Sequence, residues 1–141
     1  MISNSQRVAI LCIILLAGCI PRIDASRCQP ATPAQIEAIN AGLHDLDPNI
    51  SVKSGWWVQS RDFQNVRMVA AMLYGPGMEN DGSGPGVWAM SGTPDSPAGI
   101  FSVDSVAKEF STWEDGSTTS AHMSLIDDGV EVAQWCAANK K

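Results

Sequence analysis

Hydrophobic positions along the chain fall into short blocks, separated by polar stretches rich in Gly, Pro, Asp and Ser. The first block, Val8 to Leu16, is unbroken and stands apart from the rest. Further on, Thr32-Pro33-Ala34-Gln35 opens a helix. Thr32 is placed to cap the first turn, Pro33 sits where its missing N–H costs nothing, and Gln35 completes a capping box. Ile36, Ile39 and Leu43 recur at helical spacing and form one stripe for the core. Asp47-Pro48-Asn49 ends the segment.

Extended structure is expected next. Ile50 to Ser60 carries Val52 and Trp56-Trp57-Val58, and Arg61 to Asn65 is a polar break of hairpin length. Val66 to Tyr74 is almost wholly apolar and reads as a strand covered on both faces, with a helix as the alternative. Gly75 to Gly86 holds five Gly in twelve residues and reads as a mobile hairpin loop. Val87 to Met90 and Ile100 to Val103 are further strands, separated by the turn Thr93-Pro94-Asp95-Ser96-Pro97. Asp104 is placed to cap a short helix over Ser105 to Phe110. Residues 111–122 are polar, with Trp113 embedded in them. Asp128-Gly129-Val130-Glu131 has a capping pattern for a last helix ending near Asn139, where Lys140 and Lys141 suit the negative C-terminal dipole. The pattern predicts an α+β fold. A meander of about four antiparallel strands carries N- and C-terminal helices, in a single domain over residues 32–139.

Composition narrows this further. A chain of 141 residues has room for one core, and 45% hydrophobic residues make it a folding chain. Charged residues are 17%, and the formal charge is −6. An acidic balance of that size argues against nucleic acid as a partner.

The Val8–Leu16 run has nine residues, too few for a bilayer core of roughly 30 Å. Arg7 precedes it and small residues close it, the layout of an export signal. The closing tetrad Leu16-Ala17-Gly18-Cys19 resembles the lipobox of bacterial lipoproteins. The resemblance implies a signal peptide over residues 1–18 and a diacylglyceryl thioether on Cys19. In many such proteins an acyl chain such as palmitate is added on the new amino group. The alternative is an ordinary signal cut after Ala25, a site that Pro21, Arg22 and Asp24 make poor. Residues 19–31 then form a lipid-anchored tether on the extracytoplasmic face of the cell envelope. An acidic domain gains nothing from anionic headgroups, so the lipid alone would hold it to the membrane.

Of the four Cys, the lipobox reading removes Cys12 with the signal and alkylates Cys19. Cys28 and Cys136 remain, and export places them in an oxidising compartment where they would pair. Two buried free thiols are the alternative. A bridge would tie the run before the first helix to the last helix. It would also leave only Ile20 to Arg27 free, a reach of at most about 28 Å.

Catalytic chemistry is thin. His44 and His122 have no second ligand at metal spacing, so no metal and no cofactor is expected. Ser83 lies between Gly82 and Gly84 without a nucleophile elbow, and Glu79-Asn80-Asp81-Gly82-Ser83 lacks the spaced acids of a calcium loop. Five Trp in a domain this small are the remaining signal. Trp88 and Trp135 sit in apolar stretches and read as core. Trp56 and Trp57 are adjacent, so on a strand they face opposite ways. Trp57 and Trp113 are candidate binding residues.

Trp57, Ser60, Asp62 and Asn65, followed by Val69-Ala70-Ala71, Gly86-Val87-Trp88-Ala89 and Cys136, resemble small exported proteins of actinobacteria. The resemblance implies export and a single domain, and no activity. Ser60, Asp62 and Asn65 have an ordinary use as turn-forming residues and a sharper one as ligand contacts. The reading that follows is a non-catalytic, lipid-anchored binding or envelope-interaction module, with an envelope or extracellular protein as its partner. A hydrolase using Asp62, His44 or His122 with a loop Ser is one alternative. A structural or assembly lipoprotein, including a phage-type exclusion lipoprotein, is another.

Overall fold

The computed structural model describes residues 22–78 and 84–141. The Val8–Leu16 run, Cys12, the lipobox with its Cys19, and the Glu79–Ser83 segment lie outside the described residues. The chain forms β1 (Gln29–Pro30), α1 (Pro33–His44), β2 (Trp56–Gln59), β3 (Arg67–Ala71), β4 (Gly86–Thr93), β5 (Ser96–Ser102), α2 (Ser105–Phe110) and α3 (Val130–Asn139). Short 3-10 turns stand at Ala25–Arg27 and Gly116–Thr118.

The strands form one antiparallel sheet in sequential order, β1-β2-β3-β4-β5. The fold is α+β, and its meander has five strands rather than about four. The additional strand is β1, whose two residues pair Gln29 with Trp57 and Pro30 with Trp56. A two-residue edge strand containing Pro has no hydrophobic alternation to announce it.

Side-chain alternation divides the core between the two faces of the sheet. Val69, Ala71, Trp88, Met90 and Ile100 pack on one face with Ile39 and Leu43 of α1 and Val106 and Ala107 of α2. Val58, Met68, Ala70, Val87 and Ala89 pack on the other with Val130, Ala133 and Cys136 of α3. Strand β3 is thus covered on both sides, which is why its sequence is an unbroken apolar run. Trp56 and Trp57 fall on opposite faces, as adjacent strand residues must.

Helix α1 begins as its sequence dictates. Thr32 accepts from Gln35 N–H, and the Gln35 side chain returns a bond to Thr32 N–H. Ile39 and Leu43 are fully buried. The expected strand over Ile50–Ser60 is shorter, and α1 explains why. Asn40 of the helix donates to Val52 C=O at 3.0 Å and accepts from Val52 N–H at 2.8 Å. A side-chain amide takes the place of a neighbouring strand there. Pairing resumes only at Trp56, with an isolated bridge between Ser51 and Tyr74.

Cys28 and Cys136 form a disulfide, both of them buried. It joins the segment ahead of β1 to the inner side of α3. Trp113 is the other long-range fastener. Its indole N–H donates to Ala38 C=O at 3.1 Å, and a methyl group at Gly42 would overlap the ring. The polar stretch around Trp113 therefore closes over α1, with Thr112 N–H bonded to Gly42 C=O at 3.0 Å.

Candidate functional site

The Ser60–Asn65 segment is the turn between β2 and β3. Ser60 is buried, and its Oγ accepts from Asp62 N–H at 3.2 Å and Phe63 N–H at 3.4 Å. Asn65 holds the left-handed backbone conformation (φ 60°), which Asn tolerates better than most residues. Asp62 Oδ2 accepts from Asp128 N–H at 2.6 Å. Asp128 in turn takes two bonds from the Arg27 guanidinium, at 2.9 and 2.6 Å, and one from Arg61 N–H at 2.8 Å. Arg27 also donates to Gln59 C=O at 2.8 Å. Ser60, Asp62 and Asn65 thus build a turn that clasps the start of α3 and the segment ahead of Cys28.

Arg27 and Asp128 are the pair that sequence reasoning missed. They are 101 positions apart, and Asp128 reads as the cap of α3. The helix instead starts from Gly129 in the left-handed conformation (φ 99°), without a side-chain cap, which frees Asp128 for Arg27. The Arg27 guanidinium holds the Asp128 carboxyl below its ordinary value. Asp115 is lowered to about 2, first by its bond from Lys108 and then by Ser117. Both carboxylates favour the folded chain above their ordinary value of 3.8, and that contribution is lost as pH falls below it.

The five candidate binding residues do not converge. Asp62 lines a cavity of about 430 Å³ with Leu125, Ile126, Asp127, Asp128 and Glu131, and no Trp reaches it. Trp57 packs half-buried on the α1 face of the sheet, with the Arg67 guanidinium 5.5 Å from its ring centre. Trp113 is spent on Gly42 and Ala38. The residues weighed for hydrolysis are equally dispersed. His44 closes α1 beside a groove of about 660 Å³ lined by Glu37, Asn40 and Lys53. His122 lies in the loop after Thr119, its ring 3.4 Å from Ser117 C=O, and Asp62 belongs to the β2–β3 turn. Among the described residues, no group of three His, Cys, Asp or Glu is arranged to hold a metal ion.

Asp104 is the buried carboxylate. Its Oδ1 accepts from Ala107 N–H at 2.9 Å, capping α2, and from Val87 N–H at 3.0 Å, fastening β4 to that cap. Burial raises its carboxyl above the ordinary value of 3.8, partly opposed by these bonds. Folding therefore favours its protonated form. That contribution is complete below pH 3.8 and is lost as pH rises through the folded value. Asp104→Asn keeps an acceptor for both N–H groups and removes the buried charge. We expect its stability at neutral pH to equal or exceed wild type, with any advantage gone in acid. Asp104→Ala leaves two N–H groups without their acceptor and should lose about 1–3 kcal/mol. Urea titrations at neutral and acid pH check this. An Asn variant as weak as the Ala variant would show that the charge itself is required.

One surface has no linear signature. Trp56, Met72, Tyr74, Ala137, Lys140 and Lys141 line a cavity of about 440 Å³. Met72 and Tyr74 also line a second, of about 540 Å³, with Lys53. The Lys53 ammonium lies 4.6 Å from the Tyr74 ring centre, and the Lys140 ammonium 5.2 Å from that of Trp56. The residues come from three regions of the sequence, so only the fold brings them together.

No protein-family model, no curated protein and no solved structure matches the chain. Ser60, Asp62 and Asn65 each have a structural use in the β2–β3 turn.

Proposed function

We propose that this chain is a lipid-anchored, extracytoplasmic binding module of the cell envelope, with Cys19 as the site of lipid attachment and no catalytic step of its own. The observation that carries the reading is how the start of the domain is fastened. The Ala25–Arg27 turn is capped by Asp24, gripped by Asp128 through Arg27, and followed at once by the Cys28–Cys136 bridge. Four positions, 20–23, separate Cys19 from that fastening, a reach of at most about 14 Å. A lipid at Cys19 would hold the domain close against the bilayer with one end facing it. That end carries Leu125 and Ile126, which is 94% exposed, beside Asp128. An apolar tip next to the tether suits contact with the membrane interface. A short, rigid mount serves presentation of a surface better than reach.

The test is to produce the full chain in an exporting bacterium fed alkynyl palmitate. Wild type should take the label, begin at Cys19 by mass and stay in the membrane pellet through a high-salt wash. Cys19→Ser should be unlabelled and unable to stay in that pellet as an acylated protein. An intact leader, or an unacylated product beginning at Ser26, would overturn the reading.

A further inference from the structure

We propose that the groove formed by Trp56, Met72 and Tyr74 with Lys53, Lys140 and Lys141 binds an acidic peptide segment bearing apolar side chains, supplied by a partner protein. The inference deepens the binding-module reading and rests on it. Its first support is charge. The chain is acidic, at −6, yet three of its four Lys gather around this one groove. Ordinary helix-dipole compensation accounts for Lys140 and Lys141, which follow the C-terminal end of α3. It does not account for Lys53, which comes from the loop between α1 and β2.

The second support is that, among the described residues, none of these lysines stands in an ion pair, Glu37 sharing only the adjoining groove with Lys53. Among the described residues the ion pairs are Arg27–Asp128 and Lys108–Asp115. Lys53 and Lys140 lie instead over aromatic rings, an arrangement that holds an ammonium in place without neutralising it. The third support is the floor. Met72 and Tyr74 are exposed large apolar residues, and they line both of these neighbouring cavities. An apolar floor with cationic edges suits a ligand that is apolar and anionic at once. Rings already covered by ammonium groups on one face are poor platforms for stacking sugars. Side chains entering beside Met72, with carboxylates meeting the lysines, fit better.

Tyr74 is the only Tyr in the chain, so 3-fluorotyrosine labelling yields a single fluorine resonance inside the groove. The probe is a synthetic peptide alternating Glu with Leu and Phe, added to the processed full-length protein in detergent micelles, whose intact mass is read on the same sample. The resonance should shift saturably. A Lys-for-Glu version of the peptide should leave it unmoved. Lys53→Glu with Lys140→Glu should weaken binding about tenfold or more, and raised salt should weaken it too. Lys108→Glu, remote from the groove, should not.

No shift with the acidic peptide would overturn the proposal. So would an equal shift with the basic one. A shift produced only by phosphatidylglycerol vesicles or by polygalacturonate would assign the groove to lipid or acidic glycan instead. A shift that tracks protein concentration alone would assign it to a second copy of this chain. The intact mass separates these failures from failure of the anchoring reading, because acylation at Cys19 is read independently of peptide binding.

Discussion

Replacing both Cys28 and Cys136 by Ala is expected to lower stability by about 4–5 kcal/mol. The bridge spans a sequence separation of 108, and loop closure on that scale restricts the unfolded chain by about 4.7 kcal/mol in the chain-entropy treatment. A domain of this size commonly has about 5–15 kcal/mol in total, so the variant would sit near the edge of folding. The effect should arise mainly in the unfolded state. The folded variant keeps the Arg27–Asp128 clasp, the β1–β2 pairing and the packing of Val130 and Ala133, so its near-ultraviolet circular dichroism should match wild type. Its urea dependence should be steeper, because an unfolded chain without the cross-link exposes more surface. Parallel urea titrations of the oxidised protein and the double variant read both quantities. A loss under about 1 kcal/mol with an unchanged slope would show that the clasp and the packing of α3 already confine the N-terminal segment.

What could be read from the sequence follows from the range of the interactions. The capping box at Thr32 and Gln35, the Asp104 cap and the doubly buried β3 are local patterns, and each stands where its residues place it. The opposite facing of Trp56 and Trp57 follows from strand geometry alone. The failures are non-local. Strand β1 exists because Cys28 is pinned beside it and Gly55 C=O accepts from Ala31 N–H, neither of which leaves a periodic trace. The expected strand after Ile50 is interrupted by an amide from α1, which a strand pattern cannot encode. Trp113 looks like a binding residue because its neighbours are polar, yet those neighbours form the strap that carries its ring onto Gly42.

The same reasoning applies to the candidate site. Ser60, Asp62 and Asn65 stand out in the sequence as polar residues in a turn, and the turn itself uses them. The basic groove left no mark because Lys53, the Trp56–Tyr74 region and Lys140 meet only after the sheet and α3 have assembled. Trp content alone did not separate the two kinds of Trp. Burial does: Trp88 is fully enclosed, while Trp56 keeps part of its surface and shares its ring with a lysine.

Trp88→Ala should therefore cost about 3–5 kcal/mol, the range for emptying a large aromatic site in a packed core. Trp88 is fully buried at the centre of the α1 face of the sheet, and Gly86 lacks a side chain because the ring lies against it. Its indole N–H donates to Ser111 Oγ at 3.1 Å. Ser111 keeps a bond to Ala107 C=O at 2.7 Å, so removing the indole does not strand the hydroxyl. The loss should then reflect the cavity far more than the hydrogen bond. Trp88→Phe tests that division: it refills much of the volume, gives up the bond and should cost about 1–2 kcal/mol. If Phe proved as damaging as Ala, the link from Trp88 to Ser111 would be the dominant element. Trp56→Ala is the contrast. Its ring is only partly buried at the groove, so the variant should unfold close to wild type while the Tyr74 fluorine signal loses its response to acidic peptide. Stability and binding would then separate onto two Trp residues, of which the apolar stretch around Trp88 already marks it as core.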